Sequence, residues 1–131
     1  MILCLDYGTR YIGVAMTDPD ERIALRYSTV DQKKREFAAV LKEIIEHDKI
    51  SRILVGVPIS LSGSESAQTR VTRNFIDYVR RQVPTIPIEE VDETLTSYAA
   101  EQQVRAEGGS REAAHAEAAR IMLADYLALK R

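Results

Sequence analysis

The sequence predicts an α/β fold, a mixed five-stranded sheet in the order 3-2-1-4-5 with helices on both faces. Three observations predict it. Three β-prone runs follow one another across residues 2–30 with only turns between them, the mark of an antiparallel meander. Two later apolar runs, at 52–58 and 86–93, each follow a segment of helical periodicity, the mark of crossovers that return the chain in parallel. Two more helical segments close the chain, split by Gly108-Gly109.

The first strand, residues 2–5, alternates so that Ile2, Cys4 and Asp6 share one face. A second run at 11–16 is rich in branched and small residues, and Gly8-Thr9-Arg10 joins the two as a hairpin. Gly8 is free to take positive φ there, and Gly13 marks a close backbone approach or a bulge. Asp6 therefore stands at the carboxyl end of a strand, where ligands of open α/β sheets bind. Residues 22–30 form a third strand, with Ile23, Leu25 and Tyr27 on one face and Pro19-Asp20-Glu21 as the turn before it.

A helix over 32–47 follows, because Phe37, Val40, Leu41, Ile44 and Ile45 recur at steps of three and four. The nearly continuous apolar run 52–58 suits a strand buried on both faces at the sheet centre. After it, the small polar stretch 59–66 reads as a mobile loop at the same edge as Asp6, with Ser66 as cap of the next helix. That helix, 67–83, is expected to bury Val71, Phe75, Tyr78 or Val79, and Val83, leaving Arg70, Arg73, Arg80 and Arg81 exposed. Arg70 and Arg73 lie one turn apart near its start, placed to hold phosphates beside the loop. Pro87 sets the last strand, 86–93, at an edge, and Asp92 and Glu93 end it. Helices over 97–107 and Arg111–Leu129, the second capped by Ser110, complete the chain.

The 131 residues suffice for one domain, 1–131, with its own core. Eighteen basic against 20 acidic residues, a net charge of -2, exclude a uniformly basic nucleic-acid coat and leave room for a local basic face. Cys4 is the sole cysteine, which excludes an internal disulfide and a Cys-rich zinc site and suits a reducing compartment. No apolar stretch is long enough to span a bilayer, and no signal-type segment opens the chain. A soluble, cytoplasmic protein with no membrane partner is expected.

The order βββαβαβαα is the ribonuclease H-like arrangement. On it the ends of strands one, four and five face one edge, so Asp6, the loop and the Asp92-Glu93 pair converge. Carboxylates so placed suit a two-metal phosphodiester site, in which divalent cations polarise a phosphate and activate water. With strand four between them, Asp6 and Glu93 start about 10 Å apart at the backbone, so a glutamate bridges the gap more easily than an aspartate. Adjacent strand residues point to opposite faces, so Asp92 and Glu93 do not serve equally.

Asp-x-Gly-Thr followed by a Gly-x-Ala strand also opens the sugar kinase, actin and Hsp70 superfamily, which needs two such domains around a nucleotide; here there is one, with no second phosphate loop. Across essentially the whole length the chain resembles instead the YqgF (RuvX-type) family of Holliday-junction resolvases and pre-16S rRNA nucleases. The resemblance is carried by "DYGTRYIGVA", "ILVGVPISLSGSES", "VDETLTS" and "ARIMLADYL", in order and at matching spacing. It implies a metal-dependent nuclease on structured RNA, pre-rRNA in particular, or branched DNA, with Asp6, Glu93 and His115 catalytic, and Asp6, Asp92, Glu93 and His115 as metal ligands. Arg10, Ser62, Gly63, Ser64, Arg70 and Arg73 are the implied nucleic-acid contacts.

Two departures stand out. Thr94 replaces the Arg that usually follows Asp-Glu in that family, and His115 falls where its closing helix carries an inward Asp. Glu117 is no substitute, because two residues along a helix place it roughly opposite His115. Glu112, one turn earlier, lies on the same side. An imidazole among the ligands shifts the expected preference from Mg²⁺ toward Mn²⁺. The competing expectation is a non-cleaving structured-RNA or ribosome-assembly binding module whose site has degraded. The oligomeric state is open, a homodimer being one option, since resolvases of related fold pair two sites.

Overall fold

The computed structural model describes residues 1–58, 66–93 and 96–130. Its elements are β1 (Ile2–Tyr7), β2 (Tyr11–Thr17), β3 (Ala24–Asp31), α1 (Phe37–His47), β4 (Arg52–Val57), α2 (Ala67–Gln82), β5 (Ile88–Asp92), α3 (Thr96–Ala106) and α4 (Arg111–Leu129). The sheet runs β3-β2-β1-β4-β5, as the sequence predicts. β1, β2 and β3 form the antiparallel meander, while β4 lies parallel to β1 and β5 parallel to β4. This is the ribonuclease H-like arrangement. No helix among the described residues is long and apolar enough to cross a membrane.

Strand alternation divides the core in two. Leu3, Leu5, Ile53, Val55 and Val57 face α1 and α2, packing on Phe37, Val40, Leu41, Ile44, Phe75, Ile76 and Val79. Ile2, Cys4, Ala15 and Leu54 face α4, packing on Ala119, Met122, Leu123 and Leu127. β1 and β4 are thus buried on both sides, which is why their sequences are almost uninterruptedly apolar. Asp6 continues the Ile2-Cys4 face and so looks toward α4.

Two local departures have physical causes. α1 begins at Phe37 rather than at residue 32, because Asp31 organises a turn first: its side chain accepts from the Lys33 N–H at 3.0 Å and its carbonyl from those of Lys34 and Arg35 at 2.9 and 3.1 Å. On α2, Val71 is 38% exposed and the buried face is instead Thr69, Thr72, Phe75, Ile76 and Val79. The threonines can be buried because each hydroxyl finds a backbone acceptor, Thr69 the Pro58 carbonyl at 2.6 Å and Thr72 the Gln68 carbonyl at 3.0 Å. Ser66 caps α2 as expected, its hydroxyl accepting from the Thr69 N–H at 3.1 Å. Gly8 does not take positive φ; among the described glycines Gly108 does, at the end of α3.

Candidate active site

Asp6 is the penultimate residue of β1, 6% exposed, with its carboxylate on the α4 face. Directly across the antiparallel pair stands Gly13 of β2. A Cβ at Gly13 would overlap the backbone of His115 and Ala116, so the missing side chain lets α4 lie down on the sheet at this level. That contact sets His115 beside Asp6, with Nδ1 3.2 Å from Oδ2. The His115 ring also leans on Tyr11, centroids 5.8 Å apart, and its Cε1 packs close over Gly8.

Glu93 arrives from the other side. It follows β5 immediately and prolongs the ladder by donating its N–H to the Val57 carbonyl at 3.1 Å. Its side chain crosses β4 over Gly56: Oε2 would be only 3.0 Å from a Cβ placed there, with the Met122 side chain on the same spot. Any side chain at position 56 would occupy the path by which Glu93 reaches Asp6. The separation between strands one and five is closed by a glycine and a long acid together.

The two carboxyls meet. Burial first, then the Asp6 charge, a hydrogen bond with Asp6 and the Asp92 charge push the Glu93 carboxyl up to about 8. At neutral pH this favours the protonated form of Glu93. Asp92 pairs with Val57, whose side chain belongs to the α1/α2 core, so alternation sends it to the sheet face away from Asp6.

Other candidates are placed less centrally. Arg10 is bound to Asp31 at 3.3 Å and lies 4.9 Å over the Tyr11 ring, at the rim of the site but engaged. Arg73 reaches Glu90 of β5 at 3.3 Å. Arg70, on the first turn of α2, is exposed, and neither arginine is on the Asp6 face of the sheet, since α2 covers the other one. Ser62, Gly63, Ser64 and Thr94 lie outside the described residues. Glu112 lies beside Tyr11 and pushes the Tyr11 hydroxyl up. Glu117 is wholly buried on the far side of α4 from His115, between Arg26 and Arg120.

No role at the site was expected of Tyr11 or Met122. Tyr11 supports His115 and Met122 wedges Glu93 against the sheet. The signal for both was present in the glycines: a small residue facing a helix marks the level at which that helix delivers its nearest side chains.

The family model described as "RuvX: Holliday junction resolvase" matches residues 1–129. The chain belongs to the RuvX (YqgF) family. A protein of Maridesulfovibrio salexigens called "Putative pre-16S rRNA nuclease" is 36% identical over 132 residues, covering 97% of each chain. Proteins of the same name from Chloroflexus aurantiacus and Chlorobium chlorochromatii are 38% and 34% identical, covering 100% and 96% of this chain and 88% and 93% of their own. RuvX family membership makes this chain a nuclease, a hydrolase of nucleic-acid phosphodiester bonds, and suggests a divalent metal without naming it.

Among the described residues no group of three or more His, Cys, Asp or Glu is arranged to hold a metal ion. Asp6 and Glu93 nevertheless suit a hard divalent cation, which commonly takes one or two carboxylates and fills its shell with water and substrate phosphate. The raised Glu93 carboxyl marks where positive charge is wanted.

Proposed function

We propose that Asp6 and Glu93, with His115, form a metal-dependent phosphodiesterase site acting on structured nucleic acid. Its substrate is the 5′ region of pre-16S rRNA, a four-way DNA junction, or both. The observation that carries this reading is the buried carboxyl pair on one sheet face, brought together over Gly56, with His115 on Asp6 and no arginine or lysine paired with either acid among the described residues.

A bound divalent cation would polarise the scissile phosphate and lower the pKa of an attacking water. Asp6 and Glu93 would hold it, Glu93 as its carboxylate. Asp6, on the rigid central strand, sets its position; Glu93, at a strand end, adjusts to it. His115, hydrogen-bonded to Asp6 through Nδ1, serves either as a further ligand or as the group that carries a proton to the leaving oxygen. An imidazole in place of a third carboxylate leaves the site one negative charge poorer, which favours Mn²⁺ over Mg²⁺.

The test is cleavage of a panel of structured RNAs and branched DNAs in Mn²⁺ and in Mg²⁺, by wild type and by Asp6→Asn. Wild type should cut at least one class and Asp6→Asn none. Tight binding with no cutting in either metal would return the chain to the non-cleaving binding module.

A further inference from the structure

On the opposite face of the sheet, at the same strand end as Asp6, the molecule has a second concave feature. A cleft of about 640 Å³ opens between α1 and α2, lined by Tyr7, Gln32, Phe37, Asn74, Phe75 and Tyr78, with Arg35, Glu36 and Val71 at its rim. The volume falls within the range typical of small-molecule sites, roughly 300–1,000 Å³. Three of its rings form a near-parallel row: Tyr7 stacks on Phe75 at 4.4 Å and 25°, and Phe75 on Tyr78 at 6.3 Å and 24°. Phe37 and Phe75 are buried in the floor, whereas Tyr7 and Tyr78 are half-buried and present ring surface to the cleft.

We propose that this cleft receives an unpaired nucleobase of the substrate strand. Four features of the site select that occupant. Tyr7 follows Asp6 directly, so strand alternation alone sends its ring through the sheet plane to the cleft while the carboxylate stays on the α4 face; one strand end serves both. Bases stack on aromatic rings whatever their identity, and an already unpaired base needs no extraction from a duplex.

The polar lining suits a base edge. Gln32 spends its amide N–H groups on the Gly8 and Thr9 carbonyls, at 3.0 and 3.1 Å, leaving its carbonyl oxygen as an acceptor of fixed orientation. Asn74 adds an exposed amide. The charges suit a base rather than a phosphate: Arg35 is paired with Glu43 at 2.7 Å, and Glu36 repels anions from the rim. The cation available for the adjoining backbone is Arg70, one turn ahead of Asn74 on the same side of α2 and without an ion-pair partner among the described residues.

The identity of the ligand rests on the nuclease reading above, so the test separates the two. A stem-loop RNA carrying 2-aminopurine in its loop is titrated with the full chain in chelator, so that nothing is cut, and a blunt duplex RNA serves as control. Stacking in the cleft should quench the 2-aminopurine. Tyr78→Ala should abolish the quenching and weaken loop binding about 5- to 150-fold, the range for loss of one base–aromatic stack. Duplex binding should not change. Val71→Glu, on the exposed rim and harmless to the fold, should act in the same direction and guards against misreading an unfolded Tyr78 variant. Quenching that survives both substitutions, or equal losses on loop and duplex, would overturn the proposal. A wild type that quenches but never cuts keeps the cleft and removes the nuclease reading; one that cuts without any quenching removes the cleft alone.

Discussion

Two carboxylate clusters flank α4, and they are built on opposite principles. On one side Glu117 is wholly buried, yet Arg26 and Arg120 each donate to it at 2.8 Å, and Arg26 also binds Glu107 at 3.0 and 3.1 Å. The Arg120 hydrogen bond, with that of Arg26, holds the Glu117 carboxyl down to about 2. On the other side Asp6 and Glu93 share a buried face with no arginine or lysine among the described residues to offset them, and Glu93 is pushed up to about 8. A cluster whose charges balance inside the protein fastens α4 to β3. A cluster that leaves charge unbalanced is waiting for something from outside, and the fold bears that cost. Burial and composition alone would not tell the two glutamates apart.

The largest effect should come from exchanging their fates. Asp6→Asn should eliminate cleavage while leaving the melting temperature unchanged or higher, because it relieves like-charge repulsion on Glu93. Glu117→Gln should keep cleavage at temperatures where the chain is folded but lose about 2–3 kcal/mol of stability, a discounted value for a buried pair whose arginines are each a third exposed. Thermal and urea unfolding of the two variants beside wild type check both halves. A destabilised Asp6→Asn with a neutral Glu117→Gln would erase the distinction.

pH should pull the clusters in opposite directions. Glu117 has a folded value below its ordinary 4.5, so its contribution is full above about 4.5 and is lost as pH falls toward 2. Glu93 has a folded value above its ordinary 4.5, so the fold favours its protonated form, and stability drains away as pH rises from 4.5 toward 8. Denaturation across this range without metal should show both limbs. Glu117→Gln should flatten the acid limb and Asp6→Asn the alkaline one, and Mn²⁺ should restore stability on the alkaline side of wild type only.

A smaller change is expected at His115. His115→Ala should lower cleavage about 10- to 100-fold, the usual cost of losing a group that orients a metal ligand, while His115→Asp should regain Mg²⁺-supported activity relative to Mn²⁺. Rates in both metals decide it, and an unaffected His115→Ala would leave Asp6 and Glu93 to act by themselves. The least effect belongs to Arg70→Ala with Arg73→Ala: weaker binding on every sequence and a salt dependence flatter by about 0.9 per lost phosphate contact on duplex DNA. Since Arg73 already binds Glu90, most of that change should trace to Arg70.

Much of this was legible in advance. Strand order followed from three β-prone runs and two crossovers, because topology rules leave few ways to connect such elements. Asp6 shares the Ile2-Cys4 face because side chains alternate along any strand. Asp92 and Glu93 fall on opposite faces for the same reason, and His115 and Glu117 part company because two helical residues differ by about 200°. These are statements about one element at a time, and local geometry enforces them wherever the element packs.

What lies between elements was not legible. Nothing in the periodicity of α2 says that Val71 faces water while Thr69 and Thr72 are buried, since that turns on acceptors supplied by Pro58 and Gln68. Nor could the local pattern show that Glu117, on a helix of alanines, would find Arg26 of β3, or that Tyr7 and Tyr78 would border one cleft. The sequence by itself determined the fold, the strand end where chemistry is possible and the face on which each acid lies. Only the tertiary structure decided which acids are paired with arginines and which are left to meet each other. That depends on residues as far as 109 positions apart meeting within hydrogen-bond distance, His115 on Asp6 through the gap at Gly13 and Glu93 through the gap at Gly56.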